Sequence, residues 1–307
     1  MDMKTICETA ATDGQRPAAD GHFDAIMQLQ GVEEFKEAVR RVRKFQENKE
    51  RYAVLDARLP NYLWLARRGG GITTCANAFA EYLSAAKTIE FSGIVKYFKF
   101  IPAYTPPEAY FSELARLNNT LTEIAGHHRH FKGIACIIID DWLEHAHEVH
   151  FKNLLYFCES IGDRVMTIFC AHTYDKRTVE TVESTITSYM RCETVSLRFP
   201  DVGELITFIE EKYFAKHRFA LAEDARTLLT ESVAEIVTGR NFNGFKTIRQ
   251  LASDIIYGLL ASEVGGDAIS ADRLCRFSKD SAYIRRIKAF RGNKVMGFGA
   301  QKEECLK

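Results

Sequence analysis

The sequence contains no CxxC pair, no run of about eighteen uncharged apolar residues, no net charge and no internal repeat. Its eight cysteines, Cys7, Cys75, Cys136, Cys158, Cys170, Cys192, Cys275 and Cys305, are scattered, and several lie inside apolar runs such as 135–139 and 165–171. That spacing argues against disulfides and a zinc knuckle and for reduced thiols in a core. With no long apolar run, no membrane helix is expected. The polar stretch 1–21 lacks the basic start and apolar centre of a secretory signal, so the expected location is cytoplasmic. Lys plus Arg and Asp plus Glu balance at 41 each. The chain as a whole therefore has no long-range attraction for nucleic acid or an anionic membrane, and any basic surface must be local.

A length of 307 residues suits two domains, each with its own core. Residues 1–22 carry no periodicity and are expected to be disordered. Val32, Phe35, Val39, Val42 and Phe45 recur at helical spacing between Val32 and Glu50. Tyr62 to Ala66 reads as a strand, Gly69 to Gly71 as a turn, and Thr73 to Leu83 as a helix with Ala76, Phe79, Ala80 and Leu83 on one stripe. Further strands are expected at Val95 to Ile101, Ile134 to Ile139, Arg164 to Ala171 and Thr194 to Phe199. Helices are expected up to about Ala125 and over Glu144 to Ser160 and Lys176 to Met190. Strands alternating with helices predict an α/β fold, a parallel sheet covered on both faces. After Pro200 only helical patterns follow, over Val202 to Phe214, Ala222 to Thr238, Phe245 to Leu260 and Ala271 to Phe277. The expected organisation is an α/β core over 23–200, a small helical domain over 201–280 and a basic tail over 281–307.

A phosphate-binding loop is a glycine turn between strand and helix. Its backbone N–H groups wrap the phosphates, a Lys reaches the terminal phosphates, and a Ser or Thr holds Mg²⁺. Set against GxxxxGK[ST], Gly71 and Thr73 match, whereas Ala66 replaces the first Gly and Ile72 replaces the Lys. Such a site also needs a carboxylate strand beside the loop. Ile137-Ile138-Ile139-Asp140-Asp141 supplies a buried strand ending in two acids, at the sheet edge where open α/β sheets bind ligands.

These residues resemble the AAA+ family of P-loop ATPases over roughly Phe23 to Leu260. Ile26 to Lys36 is similar to the segment preceding the phosphate loop, which implies that Leu29 to Val32, Gly31 among them, lie near the adenine. Ala66 to Thr74 resembles the Walker A loop, so Gly69, Gly70, Gly71, Ile72, Thr73 and Thr74 are candidate contacts for ATP or ADP. Ile137 to Asp141 resembles Walker B, with Asp140 beside Mg²⁺ together with Thr73, and Asp141 in the place of the catalytic Glu. Thr167 to Thr173 resembles the strand carrying sensor 1, which makes His172 or Thr173 its candidate. Arg191 falls near the position of the arginine finger. Phe199-Pro200-Asp201 resembles the junction to the lid, and Asn243 to Leu251 the lid helix of sensor 2, with Lys246 and Arg249 as its cations. The resemblance further implies strand order 5-1-4-3-2 and assembly into a ring or mixed ring that acts on a protein partner.

Two substitutions weaken the same site. Losing the Lys removes a charged donor, and such bonds contribute about 1.5 to 3 kcal/mol, so nucleotide affinity should fall roughly ten- to a hundredfold. Asp141 retracts its carboxylate by one methylene relative to Glu, and a misplacement of roughly 1 Å can cost on the order of 10² in rate. The expectation is a degenerate AAA+ protein: a weak binder of nucleotide and a slow or inactive ATPase. Alternatives are a DNA-associated regulator and a nonenzymatic scaffold. Tyr283 to Phe298 mixes Arg285, Arg286, Lys288, Arg291 and Lys294 with aromatics and no acid, which suits nucleic acid or an acidic neighbour. Tyr104, in the loop Pro102 to Pro107, is a candidate pore aromatic. His127, His128, His130, His145, His147 and His150 read as solvated surface histidines rather than a zinc site.

Overall fold

The computed structural model describes residues 16–52, 58–67, 69–86, 91–101, 104–125, 132–145, 148–172, 176–238, 242–261 and 268–274. They divide into two compact units, 1–199 and 200–307.

The first unit runs α1 (Arg16–Met27), α2 (Glu33–Tyr52), β1 (Asn61–Ala66), α3 (Ile72–Ala86), β2 (Phe91–Lys99), α4 (Pro107–Ala125) and β3 (Lys132–Ile138). A 3₁₀ turn (Asp140–His145) follows, then α5 (Val149–Ser160), β4 (Val165–Ala171), α6 (Lys176–Thr187) and β5 (Cys192–Leu197). All five strands are parallel, in the order β2-β3-β4-β1-β5. This is the expected order 5-1-4-3-2 read from the other edge. Residues 16–22, expected to be unstructured, belong to α1. Phe23 and Met27 of that helix pack on the core beside buried Ile26, whereas its polar first half hides any helical period.

Alternation along the strands divides the interior into two cores. Tyr62 and Trp64 of β1, Cys136 of β3 and Ile168 and Cys170 of β4 face α1, α2 and α3. There Phe79 meets Phe35 and Tyr62 edge-on, with ring centroids 6.0 and 5.8 Å apart. Leu63, Ala135, Ile137 and Phe169 face the other way, onto Leu114, Phe151, Leu154 and Ile186 of α4, α5 and α6. Because β4 is buried on both faces over its full length, it reads as a continuous apolar run without alternation. The five described cysteines are free thiols, and Cys75, Cys136, Cys158 and Cys170 are buried.

The second unit comprises α7 (Val202–Ile209), a π turn (Glu210–Phe214), a 3₁₀ turn (Ala215–His217), β6 (Ala220–Leu221), α8 (Glu223–Val237), α9 (Gly244–Ala261) and β7 (Ala268–Ile269). Asp201 and Glu204 form a reciprocal capping box that starts α7, an arrangement that contributes about 1 kcal/mol. The helical unit also holds the two-residue parallel pair β6 and β7, which is too short to leave an alternating pattern in sequence. It is extended by the Ala222 N–H donating to the Ile269 carbonyl at 2.9 Å.

Candidate functional site

The site lies where β1, β3 and β4 end on one edge of the sheet. After Ala66 the chain turns through Gly69 (φ 76°), Gly70 and Gly71 (φ 90°) into α3. Positive φ at Gly69 and Gly71 is strained for any residue with a Cβ. Gly70 is required for a different reason: a Cβ there would sit 2.8 Å from the Arg67 carbonyl oxygen and 3.3 Å from Ala66 Cβ. Its N–H donates to that same carbonyl at 2.8 Å, which closes the turn. The first N–H groups of α3 have no partner within the helix, and the helix dipole adds partial positive charge there. Ile72 opens the helix and its side chain packs half-buried against the core, so the position of the phosphate-gripping Lys carries a hydrocarbon. Thr73 and Thr74 are exposed in the same turn.

Tyr97 of β2 braces this helix start. Its hydroxyl lies 3.0 Å from Asn77 Oδ1 and 3.2 Å from the Thr73 carbonyl oxygen, and desolvation raises its pKa far above the usual tyrosine range. Under the turn, burial pushes the Cys75 thiol up to about 12, which leaves it protonated and unreactive at neutral pH.

Strand register brings the acidic residues to the same edge. Ile138 pairs with Cys170, and the Ile139 N–H continues that ladder to the Cys170 carbonyl at 2.9 Å, so Asp140 arrives beside His172. The His172 backbone N–H donates to Asp140 Oδ1 at 2.6 Å, and His172 Nδ1 lies 2.7 Å from Oδ2. Asp141 turns outward to Lys99 at the end of β2, 3.4 Å away. The Lys99 side chain is half exposed and that of Asp141 more than a third, so the pair contributes at most about 1 kcal/mol. Trp142 pins the turn from within, its indole N–H donating to the Phe100 carbonyl at 2.9 Å.

Thus the glycine turn, Asp140 and His172 share one edge of the sheet. Leu29, half-buried, and Val32, buried, pack on the same apolar cluster as Ile72, with Gly31 (φ 73°) between them at the corner of α1 and α2. Arg191 lies elsewhere. It precedes β5 at the opposite edge, where its carbonyl accepts from the Asn61 N–H at 3.0 Å and its side chain is 74% exposed, 4.0 Å from Glu193. A six-residue strand spans roughly 20 Å, so this arginine is remote from its own glycine turn. Lys246 and Arg249 stand on the exposed face of α9 in the second unit. Tyr104 is 84% exposed. Residues 127, 128, 130, 147, 173 and 281–307 lie outside the described residues, and with them most of the histidine group, one sensor candidate and the basic tail. His150 is exposed, and among the described residues no group of three His, Cys, Asp or Glu is placed to hold a metal ion.

Sequence reasoning did not single out Tyr97 and Lys99. Their signal was present as the period-two alternation of the second strand, which puts both on one face near the carboxylate strand.

Among solved structures the chain is similar to that of C. elegans PCH-2, with a TM-score of 0.51 at 13% identity over 88% of this chain and 73% of that one. The fold is that of the AAA+ ATPases. Drosophila ORC bound to GC-rich DNA and Cdc6 aligns with a TM-score of 0.48 at 11% identity, over 81% of this chain and 41% of that one. No protein-family model and no curated protein matches the sequence.

The AAA+ fold raises the question of which groups its usual ligands would find here. A nucleotide phosphate fits the start of α3, whose first backbone N–H groups and dipole offer donors and positive partial charge, and around Gly71 no atom lies within 4 Å of where a Cβ would stand. Mg²⁺ would find a carboxylate at the same edge in Asp140. Each Asp140 oxygen accepts one hydrogen bond from His172 and keeps a second lone pair, and hydrogen-bonded carboxylates are ordinary ligands to a cation or its hydration water, so Asp140 would be the residue to hold it.

Proposed function

We propose that this chain is an AAA+-type module that binds an adenine nucleotide weakly, hydrolyses it slowly or not at all, and acts by assembling into a ring or mixed ring that remodels or regulates a protein partner. One observation carries the reading. A phosphate-loop backbone, an aspartate and a polar residue at the sensor position converge on one sheet edge, while the lysine position holds Ile72. Backbone donors and the dipole of α3 hold phosphate, at an affinity roughly ten- to a hundredfold below that of a lysine-bearing loop. Asp141, paired with Lys99, is short of the reach of a glutamate, so water activation is poor.

The position of Arg191 supports assembly. Remote from its own turn and solvent-exposed, it suits a cation offered to a neighbouring subunit's nucleotide.

Sedimentation velocity with and without ATP or ADP, alongside calorimetric titration of both, tests the proposal. Weak binding with nucleotide-dependent assembly that Arg191→Ala reduces is the expected result. ATP turnover that disappears on Asp140→Asn would overturn the degenerate part, and a monomer that binds no nucleotide would favour a scaffold. The acid-free run Tyr283 to Phe298 supports a second reading as a DNA-associated regulator. DNA affinity that falls steeply with salt would favour that reading.

A further inference from the structure

Strand β2 carries two polar side chains on the face that α3 covers. Tyr97 lies beside Cys136 of β3 and Lys99 beside Ile138, both on that face, whereas Phe98 between them turns to the opposite core. The Tyr97 hydroxyl marks where α3 begins above the sheet, 3.2 Å from the Thr73 carbonyl oxygen and 3.0 Å from Asn77 Oδ1. Lys99 stands two residues on, about 7 Å further along the strand, toward the edge at which β3 gives way to Asp140 and Asp141. Because α3 returns from the end of β1 to feed the parallel strand β2, its first N–H groups open toward that same edge. A phosphate held there meets backbone donors but no ammonium from its own loop, since the lysine position is Ile72.

Lys99 is an ammonium close by that is held only loosely. Its one ion pair is to Asp141 at 3.4 Å, and both side chains reach solvent. Such a pair contributes roughly 0.2 to 1 kcal/mol, less than the about 1.5 to 3 kcal/mol of a charged donor on a charged acceptor. A terminal phosphate carries more negative charge than a single carboxylate, and the flexible lysine stem lets the head group change partners.

We propose that Lys99 supplies from β2 part of the charge that Ile72 leaves out of the loop, its ammonium leaving Asp141 for the terminal phosphate of ATP bound at the start of α3. This inference rests on the nucleotide-binding reading above. It makes Lys99 a binding residue and Asp141 the counter-ion from which it is drawn.

The test is calorimetric titration of ATP and of AMP, both with Mg²⁺, into the full chain and its variants. Lys99→Met keeps an apolar stem at a half-exposed position; it should weaken ATP about fivefold or more and leave AMP, which lacks the terminal phosphates, within about twofold. Lys99→Arg keeps the charge and should retain most of the ATP affinity. Ile72→Lys returns the charge to the loop and should restore ATP binding to the Lys99→Met protein. A Lys99→Met protein that binds ATP as the parent does, while Ile72→Lys binds it more tightly, would overturn the role of Lys99 and leave the nucleotide reading intact. Equal losses for ATP and AMP, or an arginine variant as weak as the methionine one, would mark a structural effect and overturn that role as well. No ATP binding by the parent or by Ile72→Lys would overturn both.

Discussion

Replacing Ile72 with lysine should restore most of the lost affinity for nucleotide. Ile72 is the first residue of α3, immediately after Gly71, and packs half-buried on the core edge that holds Leu29 and Ala76. A lysine there keeps a hydrocarbon stem along that surface while its ammonium reaches the solvent-facing turn. The folding cost is the partial burial of one branched side chain, up to about 1 kcal/mol. The gain is one charged donor to phosphate, about 1.5 to 3 kcal/mol, or roughly ten- to a hundredfold in dissociation constant. Calorimetric titration of ADP in EDTA measures that gain, with Ile72→Met as the control for added length without charge. The lysine variant should tighten, and the methionine variant should match the parent. A folded Ile72→Lys protein whose affinity stays within about threefold of the parent would refute the claim that this turn is a phosphate site.

The glycine turn and its surroundings give further expectations. Gly71→Ala meets no neighbouring atom and should lose about 1 to 3 kcal/mol from backbone strain alone, whereas Gly70→Ala should lose a similar amount by collision with the Arg67 carbonyl; urea midpoints report both, and a neutral result at either would contradict the turn geometry. Trp142→Phe should cost about 2 to 4 kcal/mol in denaturant titration, because it strips the Phe100 carbonyl of its buried donor and leaves a void. Alkaline pH should destabilise the fold. Burial pushes the Cys75 and Cys158 thiols up to about 12 from 9.0, so the folded state keeps protons that the unfolded chain releases. The stability these thiols contribute is complete below pH 9 and is lost progressively as pH rises towards 12, by about 1.4 kcal/mol each at pH 10. Urea unfolding of the reduced protein at pH 8 and 10 measures it, and a Cys75→Ala, Cys158→Ala double variant should show a shallower decline.

The parallel sheet was legible because each buried strand is an apolar run with a helical pattern after it, and because Pro200 marks where that alternation stops. Element ends were less legible. The helix expected from Glu144 is a 3₁₀ turn over Asp140–His145 followed by α5, since the indole of Trp142 pulls that stretch inward. The helix α1 was hidden because its polar first half carries little of its apolar face. Chemistry-bearing residues could be picked out in sequence, but their pairings could not. Asp140 with His172 spans 32 positions and depends on the register of β3 and β4, and Asp141 with Lys99 depends on β2 lying next to β3.

By itself the sequence determined the alternation of strands and helices, the glycine turn, the acids closing a buried strand and the missing lysine, because these are properties of local spacing and residue type. The tertiary structure decided how the acids are used. Parallel register set Asp140 against His172, strand order gave Asp141 to Lys99, and the direction of β5 sent Arg191 to the far edge, because partners distant in sequence meet only when strands take their places in the sheet.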